Sequence, residues 1–183
     1  GIGDLAYDTA PIQVSQFESD IRIAEQLDKI YLEKKGGGNS YESYTAAWYF
    51  GLNHTKLDCW KRGKKGIIIT MGDEEMNPYL PASPLEKVTG DNLQGDIESK
   101  DLYNQAIEKF DIFHISIDDF ASSYKRNNYD GDVDKSWEPV LGQRYIISTI
   151  DSLPSKIEEC ISAAVEQIAV VSLETIHSDG ISW

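Results

Sequence analysis

The chain has 183 residues, enough for one domain with a sizeable core, and its 40% hydrophobic and 26% charged residues are ordinary for a soluble globular protein. Its formal net charge of -14 argues against nucleic acids and anionic membranes, which need clustered Lys and Arg. The one basic cluster, Lys61-Arg62-Gly63-Lys64-Lys65, directly precedes an apolar run and reads as a solvated strand entry.

Taken in chain order, Ile23, Ala24, Leu27, Ile30 and Tyr31 repeat at helical spacing. Asp20 is the expected N-cap of that helix and Gly36 its expected stop. The glycine loop Gly36-Gly37-Gly38-Asn39 leads to a second helix expected to start near Ser40, with Tyr44, Ala47, Trp48 and Gly51 on one face. Residues 66–71 carry three isoleucines and read as a strand buried on both faces of a parallel sheet. Residues 77–98, rich in Pro, Gly, Asp and Asn, read as a surface loop, and so do residues 125–134.

A helix is expected over 101–110, with Leu102, Ala106 and Ile107 inward, then a second buried strand over 111–117 and a short third one over 145–148. The last helix carries Ile157, Cys160, Ile161, Ala164, Val165 and Ile168 on one stripe. Pro154 and the capping box Ser155-x-x-Glu158 mark its expected start. This alternation gives an α/β fold, a mostly parallel central sheet flanked by helices on both faces. The strands 66–71 and 111–117 are expected to be its neighbouring central members.

In open α/β folds the residue at a strand's carboxyl end faces the ligand crevice. Asp73 stands there, with Glu74 and Glu75 beside it. Asn39, Ser40, Glu42 and Ser43 offer further oxygen donors from the preceding loop, a set that suits a hard cation such as Mg²⁺. The plainer reading is that Asp73 and Glu74 cap a helix or face solvent. The glycine loop before a helix could also hold an anion, although it lacks the Gly-Lys-Ser/Thr ending of a P-loop.

Three histidines, His54, His114 and His177, have no metal-ligand spacing to either cysteine, and His114 reads as a core residue. No Gly-x-Ser-x-Gly elbow is present. Tyr41, Tyr44, Trp48, Tyr49 and Phe50 read as helix packing. Cys59 and Cys160 form no disulfide framework, and Cys160 reads as a buried thiol, which fits a reducing, cytoplasmic setting.

Four segments, 16–23, Gly36-Gly37-Gly38-Asn39, Glu42-Ser43-Tyr44 and Thr70-Met71-Gly72-Asp73-Glu74, resemble a bacterial and phage branch of the von Willebrand factor A family. The resemblance implies that family's α/β sheet and a divalent cation, Mg²⁺ for instance, held by three loops. It implies Asp73, Ser40 and Ser43 as metal ligands and Asn39, Glu42 and Glu74 as ligand-binding residues. The family's first loop, Asp-x-Ser-x-Ser, is not found here. Gly1-Ile2-Gly3-Asp4 looks like the family's second strand, which places the first strand and helix upstream. Asp119-Phe120-Ala121-Ser122-Ser123 is the nearest imitation of that loop, ahead of Asp134-Lys135-Ser136-Trp137-Glu138.

The leading expectation is therefore a non-enzymatic interaction domain with a protein partner, divalent-cation-dependent, with no nucleic-acid or membrane ligand. The alternatives are a metal-dependent hydrolase using Asp73, Glu74 and Glu75, and a metal-free structural subunit of a larger bacterial or phage assembly, then virion-associated.

Overall fold

The computed structural model describes residues 1–32, 41–118 and 132–178. The elements in chain order are α1 (Arg22–Leu27), β1 (Tyr41–Glu42), α2 (Ala46–His54), a 3-10 turn (Asp58–Arg62), β2 (Gly66–Gly72), β3 (Glu75–Met76), β4 (Tyr79–Leu80), α3 (Ala82–Thr89), β5 (Ile97–Glu98), α4 (Ser99–Ala106), β6 (Phe110–Ile117), α5 (Asp132–Leu141), a second 3-10 turn (Gly142–Arg144), β7 (Tyr145–Ser148) and α6 (Leu153–Ser178). The fold is mixed α/β with parallel sheets. No described helix is long and apolar enough to cross a membrane.

The main sheet has the order β2-β6-β7, and all three strands are parallel. β2 pairs with β6 over its whole length, from Gly66 opposite Phe110 to Gly72 opposite Ser116. β6 is central and buried from Phe110 to Ser116. Successive side chains of a strand point to opposite sides, and those of β6 join different clusters. Phe110 and Ile112 belong to the larger core with Trp48, Leu102 and Trp137. Phe113 and Ile115 join Cys160 and Ala164 of α6.

The strand expectations hold in place and neighbour for both strands, and in burial for β6 but not for β2. Among the described residues β2 is an edge strand, not a central one. Ile67 stays 38% exposed and Met71 46%. With no described neighbour beyond β2, one flank of its side chains has nothing to be buried against, however apolar the run.

The larger core is anchored by a ring stack. Trp137 of α5 lies parallel to His114 of β6, with centroids 3.7 Å apart and planes 9° apart. Tyr44 meets the same imidazole edge-on at 5.0 Å. His114 is fully buried, and its Nδ1 is 2.9 Å from the Thr70 hydroxyl across the β2–β6 ladder. It is a core residue, as its place in an apolar strand suggests. At the other end of β6, the buried carboxylate of Asp111 accepts a hydrogen bond from Arg144 at 3.0 Å.

Several local expectations need correction. The first helix runs only from Arg22 to Leu27, and none of its residues is buried. Ile23, Leu27 and Tyr31 are exposed. Asp20 accepts the Arg22 amide at 3.0 Å, but the N-cap is Ile21, not Asp20, and the expected stop at Gly36 lies outside the described residues. The second helix starts at Ala46, because residues 41–42 are taken up by pairing with β3.

Residues 77–98 hold β4, α3 and β5 and are not a bare loop. Pro81 and Gly90 are the two boundaries of α3; Gly90 ends it in the left-handed region at φ 79°. The expected loop 125–134 lies outside the described residues up to 131, and α5 begins at Asp132. The 101–110 helix is shifted to Ser99–Ala106, and Phe110 opens β6 instead.

α6 begins at Leu153, so Ser155 is inside the helix, where its hydroxyl donates to the Ser152 carbonyl and forms no capping box. On its stripe Cys160 and Ala164 are buried while Ile161 and Val165 are exposed.

Trp137→Ala would remove the largest ring of the stack and leave His114 against a cavity. A loss of about 3–5 kcal/mol is expected for such a truncation, read as a lower midpoint in urea unfolding. Trp137→Phe, which keeps a ring, should lose much less. Equal stability of Trp137→Ala and the parent would contradict the stack's role.

Candidate functional site

β2 ends in Gly72, and the chain turns at once through Asp73 and Glu74 into β3. The turn is held from below. Tyr44 lies so close to Gly72 that a Cβ there would fall 1.9 Å from its hydroxyl oxygen, so only glycine fits. The Glu74 amide donates to that same hydroxyl at 3.4 Å, and the Trp137 indole donates to the Glu74 carbonyl at 3.2 Å. The Met76 amide donates to the Ser136 hydroxyl at 3.0 Å. Burial pushes the Tyr44 phenol well above its usual range, so it stays a neutral strut.

β1 lies alongside β3 in parallel, with Tyr41 opposite Glu75 and Glu42 opposite Met76. This short ladder brings Glu42 to the Asp73–Glu74 turn. A third segment arrives from the start of the chain. The Leu5 amide donates to the Ser43 hydroxyl at 3.0 Å, and the Ser43 amide donates to the Gly3 carbonyl at 3.4 Å. Between them Asp4 and Asp8 form a tight turn, in which Asp8 Oδ2 accepts the Asp4 amide and Asp4 Oδ1 accepts the Ala6 amide, both at 2.7 Å.

The result is a gathering of acids. Glu42 is half-buried, and its carboxyl is raised to about 7, first by burial and then by the charges of Asp8, Asp4, Glu74 and Asp73. Two buried oxygens, Asp4 Oδ2 and Glu42 Oε2, have no hydrogen-bond partner among the described residues. Orphaned buried carboxylate oxygens are costly unless a cation or donor reaches them.

Of the expected site residues, Glu42, Ser43, Asp73 and Glu74 come together at the carboxyl end of β2. Ser43 is buried, with its hydroxyl engaged by Leu5. Asn39 and Ser40 lie outside the described residues, as does the loop imitation 119–123. Asp134–Glu138 lies within α5, and Asp134 accepts a hydrogen bond from the Tyr145 hydroxyl at 2.5 Å. Glu75 sits in β3 opposite Tyr41.

Asp4 and Asp8 were not expected at the site. Their spacing in sequence carries no signal for it, and only the docking of residues 1–8 on Ser43 brings them there. The oxygen chemistry of the group suits a hard cation. Among the described residues, however, no three His, Cys, Asp or Glu side chains stand close enough to hold one together. Both cysteines are free. No protein-family model, curated protein or solved structure matches this chain.

The raised Glu42 carboxyl links pH to stability. Its folded value of about 7 lies above the ordinary 4.5, so the folded state holds the extra proton between the two. The contribution is fully present below about pH 4.5 and is lost as pH rises through about 7. Glu42→Gln should flatten that decline and leave the variant more stable than the parent at pH 8. Urea unfolding of both proteins across this range checks it, and parallel pH profiles would contradict it.

Proposed function

We propose that this chain is a non-enzymatic interaction domain of the von Willebrand factor A type, with helices on both faces of its sheet and its ligand side at the carboxyl end of β2. The observation that carries the reading is the convergence of Glu42, Asp73 and Glu74 with Asp4 and Asp8 at that end, where burial first, and then the charges of the other four acids, raise Glu42 to about 7. Such a group is held at an electrostatic cost that a cationic guest relieves. Asp73 and Glu74, in the turn directly after β2, stand where open α/β sheets present ligand-binding groups.

A divalent cation such as Mg²⁺ is one guest of the right chemistry. The described side chains give it part of a shell, with Asp73 and Glu42 as the first donors, and water and a carboxylate of the partner protein fill the rest. On this reading, affinity for the bare ion is weak and the partner strengthens it. The hydrolase alternative has less in its favour. A hydrolase needs a metal centre held by the chain itself, and among the described residues no three His, Cys, Asp or Glu side chains stand close enough to form one.

Calorimetric titration with MgCl₂ and MnCl₂ at pH 8 tests the cation. Saturable binding with a Kd of about 1 mM is expected, weakened about tenfold in Asp73→Ala, the loss of one charged donor. Binding that is unchanged by Asp73→Ala, or none at all, would favour the metal-free structural subunit.

A further inference from the structure

A cavity of about 210 Å³ opens beside the acidic end, lined by Asp4, Ala6, Tyr41, Ser43, Asn77, Pro78, Tyr79 and Pro81. Its floor is polar and almost wholly spoken for. Asn77 is buried; its Oδ1 accepts the Thr45 amide at 3.2 Å, and its Nδ2 donates to the Thr45 hydroxyl at 2.6 Å, the Tyr79 carbonyl at 3.1 Å and the Ser99 hydroxyl at 3.2 Å. The Ser43 hydroxyl accepts from Leu5. The exception is Asp4. It is only 4% exposed, one oxygen serves Ala6, and the other has no partner among the described residues. The walls are of another kind. Tyr41 and Tyr79 stay 40% and 44% exposed, and Pro78 and Pro81 stand with them.

We propose that this cavity is a binding site for a lysine or arginine side chain of a partner protein. The cationic tip donates to Asp4 Oδ2, and the aliphatic stem lies along Tyr41, Tyr79 and the two prolines. One buried, unpartnered carboxylate oxygen beside aromatic rings suits a single N–H donor on an apolar stem. It does not suit a metal ion, which needs several oxygens at once, while Asn77 has its side-chain groups already bonded. The surplus of negative charge around Asp4 adds to the attraction for a basic residue. The site uses neither Asp73 nor a bound metal, so it stands or falls separately from the cation reading.

The test is an NMR titration of the ¹⁵N-labelled chain with N-acetyl-arginine amide and N-acetyl-lysine amide, with N-acetyl-glutamine amide as the uncharged comparison. The basic probes should give saturable shifts at the amides of Ala6, Ser43, Asn77 and Tyr79, and the neutral probe should not. Asp4→Asn, which keeps an acceptor for Ala6, should weaken binding about tenfold, the worth of one charge-assisted hydrogen bond. Tyr79→Ala changes an exposed ring and should also weaken binding, so it carries the test if Asp4→Asn does not fold. No saturable shift, an equal response to the neutral probe, or unchanged binding in both variants would overturn the proposal. So would MgCl₂ alone producing the same shifts, since the cavity would then be a metal site.

Discussion

The parallel register of β2 on β6 is the constraint from which the rest follows. Seven consecutive pairs, Gly66 with Phe110 through Gly72 with Ser116, fix where β2 ends. That end point places Asp73 and Glu74 in the first turn beyond the sheet. A slip of one residue would turn Thr70 away from His114 and bring Met71 into the ring stack. The Thr70–His114 bond and the His114–Trp137 stack hold the register from the side-chain face.

From that register the acidic end is built by close approach. Gly72 admits the Tyr44 ring, Tyr44 receives the Glu74 amide, and the β1–β3 ladder sets Glu42 beside the turn. The first eight residues then close over Ser43 and add Asp4 and Asp8. None of these contacts is strong alone. Together they hold like charges near one another, and the burial of Glu42 shows where the tension falls. Folded structure that tolerates such tension at one end of a sheet commonly does so for a ligand.

Much of this was legible in the sequence where the signal is local. The isoleucines of 66–71 and the apolar run of 111–117 gave two strands and their adjacency. Asp73 stands directly after Gly72 at the carboxyl end of β2, as its place in the sequence implied. What escaped was set by distant partners. Ile67 and Met71 have the composition of buried residues, but nothing described covers that edge. Pro81 and Gly90 look like loop residues until Leu85, buried between them, shows that they bound a helix. Ile23 and Leu27 have helical spacing, but their helix is short and finds no core. Asp4 and Asp8 lie more than thirty residues from Glu42 in sequence, and the bonds of Gly3 and Leu5 to Ser43 bring them to it.

The acidic end depends on five carboxylates sharing the carboxyl end of β2 closely enough for Glu42 to feel the other four. The most direct measurement is the pKa of the Glu42 carboxyl, followed by its ¹³C chemical shift as pH is varied. The account predicts a midpoint of about 7, moving downward when Asp8 is replaced by Asn. A midpoint at the ordinary 4.5, unmoved by that replacement, would mean that the acids do not converge.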